Sequence, residues 1–251
     1  MSGMFPRAYS EAQVSSATTL AIPKPAGLAL GDVLVVVIAK YGIGDWTTTS
    51  HNYSEENTVG ANGIRFSLGW TVAGAAHVSA TTFDWSWSGA AACVGAMMAI
   101  RMGKGTISFE GGSSNTVRLN DTTPISGSYT AGVGNLLMGS SATISSADTG
   151  GMGMVTAGLT LVGNPLSGTG ATDAAALLAW KIATGSETTF EVNNVTSTGD
   201  SYVHFWELAS TTDAWLEERS VSAAATVDVT DDYTPAITGD ILVHFASMIG
   251  A

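Results

Sequence analysis

The stretch Val33 to Ala39 (VLVVVIA) is an unbroken apolar run rich in β-branched residues, the pattern of a strand covered on both faces. Phe83, Trp85 and Trp87 alternate with Asp84, Ser86 and Ser88, the two-residue period of a strand with one buried face. That face carries three aromatics in a row, so it predicts an opposing sheet to cover it. Phe190 and Val192 alternate with Glu191 and Asn193 in the same way. Clusters of Gly, Ser, Thr, Asn and Asp separate these runs and supply turns. Short strands so punctuated predict an all-β chain of antiparallel β-sandwiches.

The pattern repeats. GDVLVVVIA begins at Gly31, GNLLMGSSA at Gly134 and GDILVHFAS at Gly239, spaced 103 and 105 residues apart. TTFDWSW at Thr81 is echoed by TTFEVNN at Thr188, and LGWTVAG with Trp70 by LAWKIATG with Trp180. VGAMMAIRM, ending at Met102, has its counterpart in YVHFWELAS, ending at Ser210. Landmarks in one order with small drifts in spacing define a repeat. They divide the chain into an N-terminal arm (1–13), a first unit (14–110), a second (117–212) and a partial third (220–251). The last 32 residues hold enough for two strands, which are marginal alone in water. Ile241, Val243 and Phe245 in its apolar strand are therefore expected to be covered in an assembly. One segment pits propensity against the repeat. TDAAALLAWKIA, Thr172 to Ala183, is composed of good helix formers, yet the repeat aligns it with the strand-like GIRFSLGWTVA. The repeat predicts a strand, since tertiary context outweighs propensity.

Composition narrows the function. Only 12% of the 251 residues are charged, with 9 Lys plus Arg against 21 Asp plus Glu. So few cations argue against nucleic acid as a partner, and 45% hydrophobic content argues against disorder. The longest apolar runs fall short of a membrane-spanning helix, so no membrane insertion is expected. MSGMFPRAYSEAQ has no apolar central stretch, so synthesis in the cytoplasm is expected. The single Cys93 excludes an internal disulfide.

Candidate chemistry is sparse. His51, His77, His204 and His244 form no metal-spaced pair, and the two in apolar strands, His204 and His244, read as half-buried residues or as pH-sensitive subunit contacts. Glu55-Glu56, Glu217-Glu218 and Asp231-Asp232 are sequence neighbours, whereas glycoside hydrolysis needs carboxylates facing each other across a cleft. Asp228, Asp231 and Asp232 are the densest oxygen ligands for calcium, without a calcium-loop spacing. There is no G-x-S-x-G elbow, and Cys93 lies in an apolar strand. No catalytic residue, cofactor or metal is expected. Of the seven Trp, Trp70, Trp85, Trp180 and Trp206 occupy strand positions and read as core. Trp46 falls in the loop-like YGIGDWTTTSHNYS with Tyr53 nearby, and Trp215 lies between the second and third units. These three are the candidate interface or glycan contacts.

Gly31-Asp32-Val33-Leu34, Gly69-Trp70-Thr71, Thr82 through Trp87 and Cys93 through Arg101 together resemble a β-sandwich module of tailed-bacteriophage virion proteins. The resemblance covers about 14–105 and, less closely, 117–210, with Leu68 where the module usually has Pro. It implies jelly-roll-like domains of the tail-fibre, receptor-binding or head-decoration kind. The expected function is thus a non-enzymatic virion structural protein. It would form a homo-oligomer, a trimer being one such form, and contact other virion proteins. The alternative is a module that recognises host-surface glycans.

Overall fold

A computed structural model describes residues 4–42, 44–49, 54–61, 63–102, 107–117, 123–145, 152–167, 173–194 and 201–210. The chain divides into two units, Met1–Trp215 and Leu216–Ala251, and the second lies outside the described residues. Tyr53, Trp215, Ile241, Val243 and Phe245 lie outside them as well.

The regular structure of the described chain is nearly all β, with one short helix. The first repeat runs β1 (Met4–Pro23), β2 (Val33–Tyr41), β3 (Trp46–Thr49), β4 (Ser54–Ala61), β5 (Ile64–Val72), the short helix α1 (Ala75–Ser79) and β6 (Thr82–Met102). The second runs β7 (Ile107–Val117), β8 (Leu136–Ser145), β9 (Met152–Met154), β10 (Thr160–Gly163), β11 (Asp173–Ile182), β12 (Val192–Asn194) and β13 (Ser201–Ser210). Residues 4–13, read from sequence as an arm, are the first half of β1. The second repeat begins at β7, ahead of residue 117. The helix-prone segment 173–182 is β11, because it is sandwiched between two strands in a buried sheet.

Both repeats have one topology. The first sheet is ordered β1-β6-β2-β5-β4 and the second β7-β13-β8-β11-β10, all antiparallel. Register matches as well as order. Val35 pairs with Trp70 and Met98, while Met138, 103 positions on, pairs with Trp180 and Trp206. The turns into β2 and β8 are the same object, with Gly31 and Gly134 at φ +82° and +87°. Gly31 N–H donates to Ala73 O and Gly134 N–H to Ala183 O, both at 2.9 Å. Glycine is required at these two positions because other residues resist positive φ.

Each repeat is itself layered. β1 and β6 are long enough to serve two layers, with register shifts at Val14/Ala17/Thr19 and Gly89 at φ +79° bending them over. Their outer portions, with β3, set Leu20, Ile22, Phe83, Trp85 and Trp87 onto Leu34, Val36 and Ile38. The aromatic face is thus covered as its alternation predicts. In the second repeat the small β9-β12 sheet brings Met152, Phe190 and Val192 onto Leu137, Leu177 and Phe205.

The two large sheets then pack on each other through a third core that includes Val35, Val37, Phe66, Val94, Met98, Met138, Ala176, Leu178 and Trp206. β10 lies against β1 and β6, β11 against β6 and β2, and β8 against β2 and β5. Small residues allow close approach on one flank, where a Cβ on Gly163 would stand 3.1 Å from Ala96 Cβ. Aromatics fill the other, with Phe66 and Tyr202 rings 4.7 Å apart. Phe66 is in the pairing row of Ala39, and Tyr202 in that of Ala142, its repeat equivalent. Equal rows therefore face each other, and β2 and β8 run in the same direction. Gly31, Met102, Ile107, Gly134 and Ser210 consequently share one end of the sandwich, which we term the turn end.

Candidate functional site

At the opposite end of the first sheet, pairing brings three chemically able residues into one row: Arg65 on β5, Lys40 on β2 and Cys93 on β6. Partners opposite one another in a ladder project from the same face, so all three point toward the outer layer. Trp46 on β3 and Trp87 on β6 roof the row, edge to face at 5.8 Å and 73°. Trp46 is thus held in a strand, not a loop, and is half-buried. Its Nε1–H donates to Ser67 Oγ at 3.1 Å.

The electrostatics of the row are unusual for an acidic chain. Lys40 is 3% exposed. Its ammonium donates to Gly42 O at 3.2 Å and stands 5.7 Å from the Trp46 ring centroid, within cation–π range. Burial pushes the Lys40 pKa below the ordinary lysine value, and Arg65 pushes the same way. Arg65 Nη1 pairs with Asp45 Oδ1 at 3.0 Å, and the Asp45 side chain is 82% exposed. Two N–H donors of these residues, Arg65 Nε and Trp87 Nε1, are buried and have no acceptor among the described residues. Cys93 is fully buried, and burial raises its thiol far above the ordinary range despite the nearby ammonium. A thiol so held remains protonated and acts as a small hydrophobe.

The other candidate residues are placed as follows. Trp85 and Trp206 are core, whereas Trp70 and Trp180, in equivalent positions, are only half-buried. His204 is buried between Tyr202 and Trp206, each ring 6.4 Å away. Burial lowers its pKa to about 4. His77 sits on α1, where its Nδ1 accepts the Gly74 N–H at 3.0 Å. Among the described residues no group of His, Cys, Asp or Glu could hold a metal ion, and no helix is long and apolar enough to cross a membrane. Glu55 and Glu56 lie on β4; His51, His244 and the other acidic pairs lie outside the described residues.

Sequence reading missed Arg65 and Lys40. They lie 25 positions apart and meet only through the β2–β5 register, for which neither run of residues carries a local signal. Across all the chemistry that the described residues assemble, no family model, no curated protein and no solved structure matches the chain.

Proposed function

We propose that the protein is a non-enzymatic structural component that works by self-assembly, of the tailed-phage virion kind that its β-sandwich motifs resemble. The observation that carries this reading is the fate of three reactive side chains among the described residues. The Cys93 thiol is raised and fully buried, and the His204 imidazole is buried and held neutral down to about pH 4. Glu207 is buried and taken up by Tyr129 OH and Gly132 N–H, both at 2.8 Å. Such groups serve packing, not turnover.

The surface favours assembly through an end of the sandwich over its sheet edges. Edge strand β1 carries Pro6 and Arg7, β4 carries Glu55-Glu56 and a register shift, β10 is four residues long, and β7 is bent at Gly111, φ +135°. Proline, charge, shortness and bulges all discourage strand addition. Large apolar side chains are exposed singly on two edge strands, Tyr9 at 61% on β1 and Leu161 at 49% on β10, but the turn end gathers three: Leu30 at 67%, Val72 at 49% and Val133 at 78%. Leu30 and Val133 are repeat equivalents, which makes the exposure a property of both turns.

Solution mass over a range of concentrations tests the reading. A discrete oligomer is expected, shifted toward monomer by Leu30→Glu with Val133→Glu. A monomer at every concentration would refute self-assembly. The second reading, glycan recognition, is favoured by the half-exposed Trp46 beside the exposed Asp45 and predicts signals on a glycan array that Trp46→Ala abolishes.

A further inference from the structure

The two repeats permit a comparison within one molecule. The row Arg65–Lys40–Cys93 of the first sheet corresponds, strand by strand, to Ala175–Thr143–Ser201 of the second. There the row is uncharged, and Ser201 Oγ donates to Thr143 Oγ1 at 3.1 Å. The roof differs too, since Met152 stands in the position of Trp46 and Asn194 in that of Trp87. The fold therefore requires neither cation. Burying one costs free energy unless it is paired, and the first repeat buries Lys40 beside Arg65. Among the described residues Asp45 is the acid that meets them, and it does so from the surface, at Arg65 Nη1.

We infer that this row is a binding site for one oxyanionic group, a carboxylate, sulfate or phosphate. The ammonium of Lys40, Arg65 Nε and the indole N–H of Trp87 are its donors, and Trp46 is its wall. Charged donors with spare hydrogens favour an oxyanion over a neutral ligand. Asp45 occupies part of the guanidinium, so an incoming oxyanion competes with this carboxylate and displaces it outward. The same oxyanion chemistry could be presented by a free ion or carried on an acidic sugar. The site stands whether or not the protein assembles.

Tryptophan fluorescence of the full chain, titrated with sodium sulfate and with sodium glucuronate against sodium chloride at matched ionic strength, tests the inference. Sulfate or glucuronate should produce a saturable change that chloride does not. Arg65→Gln should weaken it about tenfold or more, and Asp45→Asn should tighten it by removing the competitor. Glucuronate saturating well below sulfate would identify a sugar-borne group, and equal midpoints a free ion. The triple change Arg65→Ala, Lys40→Thr, Cys93→Ser copies the second repeat's row, so it should keep the circular dichroism of the parent while losing the response. No response beyond chloride in the parent would overturn the inference. So would equal midpoints in the parent, Asp45→Asn and Arg65→Gln proteins, or a response that survives the triple change.

Discussion

The first and second repeats share strand order, pairing register and turn geometry, yet they fill equivalent positions with different chemistry. The turn before β2 holds its backbone with Asp32, whose Oδ2 accepts the Ala29 N–H at 2.8 Å. The equivalent N–H, that of Gly132, is accepted at the same distance by Glu207, which reaches in from β13. The outer layer of the first repeat is tryptophan-rich, with Trp46, Trp85 and Trp87; that of the second is built from Phe190, Val192 and Met152. Val36 and Gly139 are counterparts, and the glycine is needed because a Cβ there would come within 2.5 Å of the Phe190 ring. What the fold demands is therefore a hydrogen bond at the turn and a filled layer, not particular residues. Where the repeats diverge without such compensation, as at Lys40 and Arg65, the divergence points to function.

The strongest way to break the comparison is through the core that both repeats share. Trp206 is fully buried there, with its Nε1–H on Ser140 Oγ at 3.2 Å. Trp206→Ala should cost about 3–5 kcal/mol and shift a single cooperative urea transition. Two separate transitions, only one of them displaced, would show that the repeats fold independently.

His204 supplies the next largest effect, at a position where the first repeat has Ala96. Its pKa falls from 6.5 in the unfolded chain to about 4 when folded. The unfolded state then binds more protons between these values, so stability is lost as pH falls from 6.5 to about 4 and levels off below. The loss approaches ~3 kcal/mol, at 1.36 kcal/mol per pKa unit. His204→Leu should flatten this part of the stability–pH curve; an unchanged slope would assign it to other groups.

Gly139→Ala should cost about 1–3 kcal/mol by overpacking, with Phe190→Leu in the same chain recovering part of it. Val36→Ala in the first repeat instead empties space and should gain nothing from Phe83→Leu. Thermal melts of the two pairs decide this. The smallest effect belongs to the turns, where Asp32→Asn and Glu207→Gln should each cost about 1 kcal/mol. A much larger loss for Glu207→Gln would mean that the Tyr129 bond, not the shared turn bond, dominates.

Much of this architecture is legible in the sequence because packing leaves periodic traces. The β-branched run at 33–39, the alternation at 83–87 and the repeat spacing are consequences of faces that must be covered. The repeat also overrode helix propensity at 173–182, where burial between two strands decides the outcome. The first half of β1 left little trace, since an edge strand with one half-buried face tolerates Arg7, Ser10, Glu11 and Gln13. Trp46 could be marked as a contact residue but not as the roof of a charged row, because that row exists only once three strands are in register. The repeat spacing itself contained the missing signal: Lys40 and Thr143 lie 103 apart, the same interval as Gly31 and Gly134.

Because Met4, Met102, Ile107 and Ser210 gather at the turn end, the first described strand of the first sheet begins, and its last ends, on that side. A bead or sensor chip coupled through a peptide placed before Met4 would hold the protein like a brush by its handle, with the Trp46 end directed into the solution.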